Sequence, residues 1–85
     1  MSSGSEDTLI RDLVEHIAKA LVDNPEAVQI SEINGTHSTV IELRVAKSDM
    51  GRIIGKKGNN ARALKDIIAA VSGKVRRKYL LEIVE

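Results

Sequence analysis

Between Glu6 and Val22 the apolar residues Leu9, Ile10, Leu13, Val14, Ile17 and Leu21 recur at three- and four-residue intervals, which predicts an amphipathic helix. Glu6 and Asp7 suit the positive end of its dipole, and Asp23-Asn24-Pro25 ends it, because proline disfavours helical geometry in the residue before it. Two runs rich in branched residues follow, Ala27 to Ile33 and Ser38 to Ala46, joined around Asn34-Gly35, a dipeptide suited to a tight hairpin. A two-residue loop there would set Ile33 opposite Thr36, Ile30 opposite Thr39 and Val28 opposite Ile41. That register gathers Val28, Ile30, Ile41, Leu43 and Val45 on one face.

Lys47-Ser48-Asp49 is suited to cap a short helix over Met50 to Ile54. After a glycine loop, Ala61, Leu64, Ile68 and Val71 form the apolar stripe of another helix from Asn59 to about Val71, with Arg62, Lys65 and Asp66 off the stripe. Ser72-Gly73 supplies a stop signal, and Val75 to Val84 reads as a strand with Val75, Tyr79, Leu81 and Ile83 in one phase. The order α-β-β-α-α-β predicts an α+β fold: a three-stranded sheet with three helices packed on one face.

At 85 residues the chain accommodates one domain, expected over residues 8–85 after a flexible polar tail, residues 1–7. Its 42% apolar and 29% charged residues are those of an ordinary globular protein. The lack of cysteine removes disulfides and thiolate metal sites and suits a reducing compartment. No apolar run approaches the roughly 20 residues that span a bilayer, and MSSGSED is unlike a basic signal peptide, so a cytoplasmic location is expected.

The net charge of +1 conceals a strong asymmetry. Residues 1–46 carry three basic and eight acidic side chains (−5), residues 47–78 ten basic and two acidic (+8), and residues 79–85 two acidic (−2). A basic second half is the footprint of a polyanion partner or of a solvated basic surface. Within it lies IIGKKGNN, residues 53–60. Gly55 and Gly58 permit a sharp turn and close approach of another backbone, while Lys56 and Lys57 are placed to neutralise phosphates without reading bases. A phosphate-binding P-loop requires four residues between its glycines; Gly51 and Gly55 enclose three, and Lys56 is followed by Lys57 rather than by a hydroxyl residue. The dinucleotide fingerprint fails because isoleucine stands at position 53. A plain helix-turn-helix elbow with solvated lysines is the alternative.

The run Ile53-Ile54-Gly55-Lys56-Lys57-Gly58, continuing through Ala61 and Leu64, resembles the signature of KH domains, and the element order is similar to their type II arrangement. Over residues 8 to 85 the chain resembles the small bacterial single-KH proteins of the KhpA (YlqC) family. The resemblance implies a clamp for about four unpaired nucleotides at Gly55, Lys56, Lys57 and Gly58. It implies that Ile53 and Ile54 help floor an apolar groove beneath the bases, and that Arg52, Asn59 and Arg62 are further contact candidates beside the clamp. Core packing is the other reading of the two isoleucines. Beyond the site, the resemblance implies a non-enzymatic RNA chaperone or post-transcriptional regulator of single-stranded RNA. It implies a homodimer and a heterodimer with a larger KhpB-like partner, with effects on cell-wall synthesis and cell length.

Lys74-Val75-Arg76-Arg77-Lys78 is unusually basic for the start of an edge strand; Arg76 and Lys78 either extend the electrostatic track or guard the sheet edge. Catalysis finds no constellation: His16 and His37 fall in different elements, and no nucleophile motif accompanies them. No metal, cofactor or small-molecule substrate is expected. Tyr79 is the only aromatic residue, so stacking cannot be a main source of RNA affinity. The rival classes are a protein-interaction module whose loop is only an elbow and a helix-turn-helix for duplex DNA.

Overall fold

The computed structural model describes residues 6–75 and 77–84, with side chains from residue 9 onward. Its elements are α1 (Glu6–Leu21), β1 (Gln29–Asn34), β2 (Ser38–Arg44), α2 (Met50–Ile54), α3 (Asn59–Val75) and β3 (Lys78–Val84), with single 3-10 turns at Pro25–Ala27, Lys47–Asp49 and Lys56–Gly58. The predicted α+β architecture stands. α1 starts at Glu6, so Glu6 and Asp7 of the expected tail are helical, and residues 1–5 lie outside the described residues.

The sheet order is β1-β2-β3, with β1 antiparallel and β3 parallel to β2. The inner face of the central strand is the centre of the core: Thr39, Ile41 and Leu43 are wholly buried and Val45 nearly so. From α1 it meets Ile10, Val14 and Ala18, from α2 Ile53, from α3 Leu64 and Ile68, and from β3 Tyr79 and Leu81. Leu9, one of the predicted stripe residues, is 58% exposed, because the buried line runs Ile10-Val14-Ala18-Val22 and leaves Leu9 at its margin.

The hairpin register differs from the expected one. Ile30 pairs with Leu43 and Asn34 with Thr39, so residues 35–38 form the loop in place of the two-residue turn, and Val28 lies before β1 begins. The shift is by an even number of residues, and it therefore leaves the apolar set on the same face. A residue distant in sequence holds the longer loop in place. Arg77 Nε donates to Thr39 Oγ1 (2.8 Å), and its Nη2 donates to the carbonyls of Gly35 (2.7 Å) and Ser38 (2.9 Å). Inside the loop, Gly35 N–H donates to the Ser38 carbonyl (2.7 Å) and Thr39 Oγ1 donates to Asn34 Oδ1 (2.9 Å). A guanidinium fork fits this curled set of acceptors; a two-residue turn would not present them.

Ser72-Gly73 does not stop α3, which continues to Val75, and β3 starts at Lys78 rather than Val75. The Ser72 hydroxyl donates back to the Ile68 carbonyl (2.8 Å) and accepts the Tyr79 N–H (3.2 Å), so this residue joins helix to strand. Gly73 has no left-handed φ, and a Cβ there would meet nothing within 4 Å. Gly73→Ala should accordingly stabilise the protein, by about 0.5–1 kcal/mol in urea unfolding, since helical glycine costs conformational entropy relative to alanine. Destabilisation would mean that the helix ends at Gly73 after all.

Candidate nucleic-acid interface

The glycine loop is the hinge between α2 and α3. Gly55 adopts φ 77°, ψ 170°, a region essentially reserved for glycine, and Gly58 has φ 75°. Lys57 is left-handed (φ 58°, ψ 24°), a conformation that costs a residue with a side chain roughly 1–2 kcal/mol. Two hydrogen bonds close the turn, Gly55 N–H to the Gly51 carbonyl (2.8 Å) and Gly58 N–H to the Gly55 carbonyl (3.0 Å). Lys56 and Lys57 are exposed at the tip.

Two polar residues outside the sequence-based candidates hold this geometry. Asn60 donates from Nδ2 to the Arg52 carbonyl at the end of α2 (2.8 Å), and its side chain covers Gly55 so closely that a Cβ there would come within 2.6 Å of it. Asp49, expected to cap its own helix, makes no such bond; it is 1% exposed and turns to the end of α1. Its carboxylate accepts the N–H groups of Asp23 (3.1 Å) and Asn24 (3.0 Å) and the Asn24 side-chain amide (3.1 Å). Burial pushes the Asp49 carboxyl up, but the Asp23 and Asn24 hydrogen bonds, together with nearby Arg52, outweigh it and hold it below the ordinary carboxylate range. The signal in the sequence was only an acid before the loop; its partners lie about 25 residues away.

The candidate residues do not all meet at one surface. Ile53 is wholly buried and packs in the core, whereas Ile54 is 38% exposed. Ile54 lines a groove of about 430 Å³ with Ala61 and Lys65 from α3 and Leu81, Glu82, Ile83 and Val84 from β3. Asn59 and Arg62 are exposed at the start of α3 beside the glycine loop. Arg52 Nε pairs with Asp23 Oδ2 (3.1 Å), and both side chains are well exposed, so a phosphate competes with this pair at little cost. Lys78 is exposed, while Arg76 lies outside the described residues. The glycine loop with its two exposed lysines follows directly on Ile54, which lines the groove. His16 and His37 are exposed on separate elements, and among the described residues no three metal-ligating side chains converge. No described helix is long and apolar enough to cross a membrane.

Two stability measurements test this geometry. Gly55→Ala should cost more than Gly58→Ala in urea unfolding, because it adds displacement of Asn60 to strain of roughly 1–3 kcal/mol, whereas a Cβ at Gly58 meets nothing within 4 Å. Since the folded Asp49 carboxyl ionises below its unfolded value of about 3.9, its stabilisation is complete above that pH and is lost as pH falls towards the lower folded value. Asp49→Asn should therefore be less stable than wild type at neutral pH and should flatten the acid limb of a urea-midpoint profile.

A family model described as the KhpA/KhpB KH domain matches residues 11–83. "RNA-binding protein KhpA" of Caldanaerobacter subterraneus is 48% identical over 73 residues, covering 86% of this chain and 97% of that protein. Its namesakes in Aquifex aeolicus and Clostridium acetobutylicum are 46% and 44% identical, covering 89% and 88% of this chain and 96% and 100% of theirs. Among solved structures, Era from Aquifex aeolicus superposes with a TM-score of 0.59 at 22% identity, over 88% of this chain and 29% of Era, a likeness of fold. With its fold, its glycine loop and these matches in agreement, the chain belongs to the KhpA/KhpB KH-domain family.

Proposed function

We propose that the protein binds single-stranded RNA, gripping the backbone at Gly55-Lys56-Lys57-Gly58 and laying bases along the groove beside Ile54. The observation that carries this reading is the strained, glycine-bounded turn with two exposed lysines, directly after Ile54, which lines a groove between α3 and β3. Relatives at 41–48% identity bear the name RNA-binding protein, which supports it. Gly55 and Gly58 let phosphates approach the loop amides, Lys56 and Lys57 neutralise them, and Arg52, Asn59 and Arg62 flank the path. Ile53 acts from the core, holding α2 beneath the groove.

The protein acts without catalysis, as an RNA chaperone or post-transcriptional regulator in the cytoplasm. Its partners on this reading are a second copy of itself and a larger KhpB-type protein, with cell-wall synthesis and cell length among the processes affected. The family description, which joins KhpA with KhpB, supports that pairing.

Titration of a labelled single-stranded RNA tests the clamp. Lys56→Asp/Lys57→Asp should weaken binding at least roughly tenfold and make the slope of log affinity against log salt shallower by about 1.4, from two lost phosphate contacts. Unchanged affinity in a folded double variant would leave the loop as a structural elbow, and competition by duplex DNA as effective as that by single strands would favour a helix-turn-helix reader instead.

A further inference from the structure

The hairpin loop carries a reactive pair that RNA binding leaves unused. Asn34 precedes Gly35, and both are exposed. With no side chain on the following residue, a backbone nitrogen can swing onto the side-chain carbonyl carbon of an asparagine, a motion that a Cβ there hinders. We propose that Asn34 is a deamidation site, and that the contacts Arg77 makes with the loop keep the reaction slow in the folded protein. The other asparagines are poorer substrates. Asn24 precedes Pro25, whose nitrogen has no proton to give up, and Asn59 and Asn60 lie in α3 ahead of residues with side chains.

The reaction balances with water as its only co-reactant. The Gly35 nitrogen gives its proton to solvent base and bonds to Asn34 Cγ. The Cγ–Nδ2 bond breaks, and Nδ2 takes up a proton and leaves as ammonia. Water then opens the cyclic imide at either of its carbonyl carbons. One opening gives aspartate at position 34; the other gives isoaspartate, in which the main chain runs through the side-chain carbon. Nothing is oxidised or reduced.

Both reacting groups are tied down in the folded loop. Gly35 N–H donates to the Ser38 carbonyl (2.7 Å), so the attacking nitrogen keeps its proton and is committed to another residue. Asn34 Oδ1 accepts the Thr39 hydroxyl (2.9 Å), which fixes the amide under attack. Arg77 secures both bonds. Its Nε donates to Thr39 Oγ1 (2.8 Å), and its Nη2 donates to the same Ser38 carbonyl (2.9 Å) and to that of Gly35 (2.7 Å). Turning Gly35 onto Asn34 therefore breaks the loop's own hydrogen bonds and strips a guanidinium of its acceptors, which charge-assisted bonding makes costly.

The two products differ in what they do to the hairpin. Aspartate keeps an oxygen for the Thr39 hydroxyl and adds a negative charge near the Arg77 guanidinium, so it suits the same loop. Isoaspartate lengthens the main chain at the last residue of β1, where Asn34 pairs with Thr39, and the contacts gathered by Arg77 no longer fit. The loop thus tolerates one outcome and is loosened by the other.

The test incubates the full chain at mildly alkaline pH, folded and in guanidinium chloride. Peptide mass spectrometry follows the conversion of amide to acid at residue 34, and enzymatic methylation of isoaspartate separates the products. Unfolded wild type should deamidate at residue 34, and folded wild type at least roughly tenfold more slowly, as a reaction confined to the opened loop must. Folded Arg77→Ala should react at least roughly fivefold faster than folded wild type, with faster hydrogen exchange at the Gly35 amide while the Ile41 amide of the central strand stays protected. If this variant does not fold, Arg77→Lys, which keeps the charge without the fork, takes its place. Gly35→Ala should slow the unfolded reaction at least roughly tenfold. Absence of reaction at residue 34 in unfolded wild type would overturn the site. Equal folded and unfolded rates, or a folded Arg77 variant as slow as wild type, would overturn the restraint by Arg77.

Discussion

Parallel pairing of β2 with β3 is the constraint on which the rest of this molecule depends. Parallel strands cannot be joined by a tight turn and require a crossover. Here the crossover consists of α2, the glycine turn and α3, and the pairing runs in register from Ser38 with Lys78 to Arg44 with Val84. The candidate RNA loop is thus the bend of a connection fixed at both ends. Its helices bury Ile53, Leu64 and Ile68 against Ile41 and Leu43 of the central strand, so displacement of the loop would disturb the centre of the core.

Polar contacts complete what apolar packing begins. Asp49 fastens the start of α2 to the end of α1, Asn60 covers Gly55 and holds the end of α2, and Arg77 gathers the hairpin loop beside the start of β3. Each satisfies backbone groups that the regular elements leave unpaired. A left-handed Lys57 persists because this surrounding framework determines the turn. A loop already ordered by such contacts loses less entropy when it binds a ligand.

The charge asymmetry acquires a place in three dimensions. The basic stretch 47–78 is the crossover itself together with the first residue of β3. The acidic first half forms α1 and the hairpin, and Asp23 reaches across to Arg52. Such a distribution attracts a polyanion to one side while leaving the net charge near zero.

The sequence by itself determined the order of elements, the faces they bury and the glycine turn, because helical and strand periodicity and the demands of positive φ are local. It fixed which side of each strand faces inward, and the structure preserves that choice for Ile41, Leu43, Tyr79 and Leu81. It did not determine the hairpin register, because alternation repeats every two residues and tolerates any even shift; Arg77, about 40 residues from the loop, decided it. It left Ile53 and Ile54 open between core and groove, and the direction of α2 against the sheet buried the first and exposed the second. Ser72-Gly73 carried a stop signal that Tyr79 overrode by drawing the serine into the helix-to-strand junction. Local chemistry therefore determined the elements and the loop, and tertiary contacts alone decided register, helix length and which candidate side chains reach the surface.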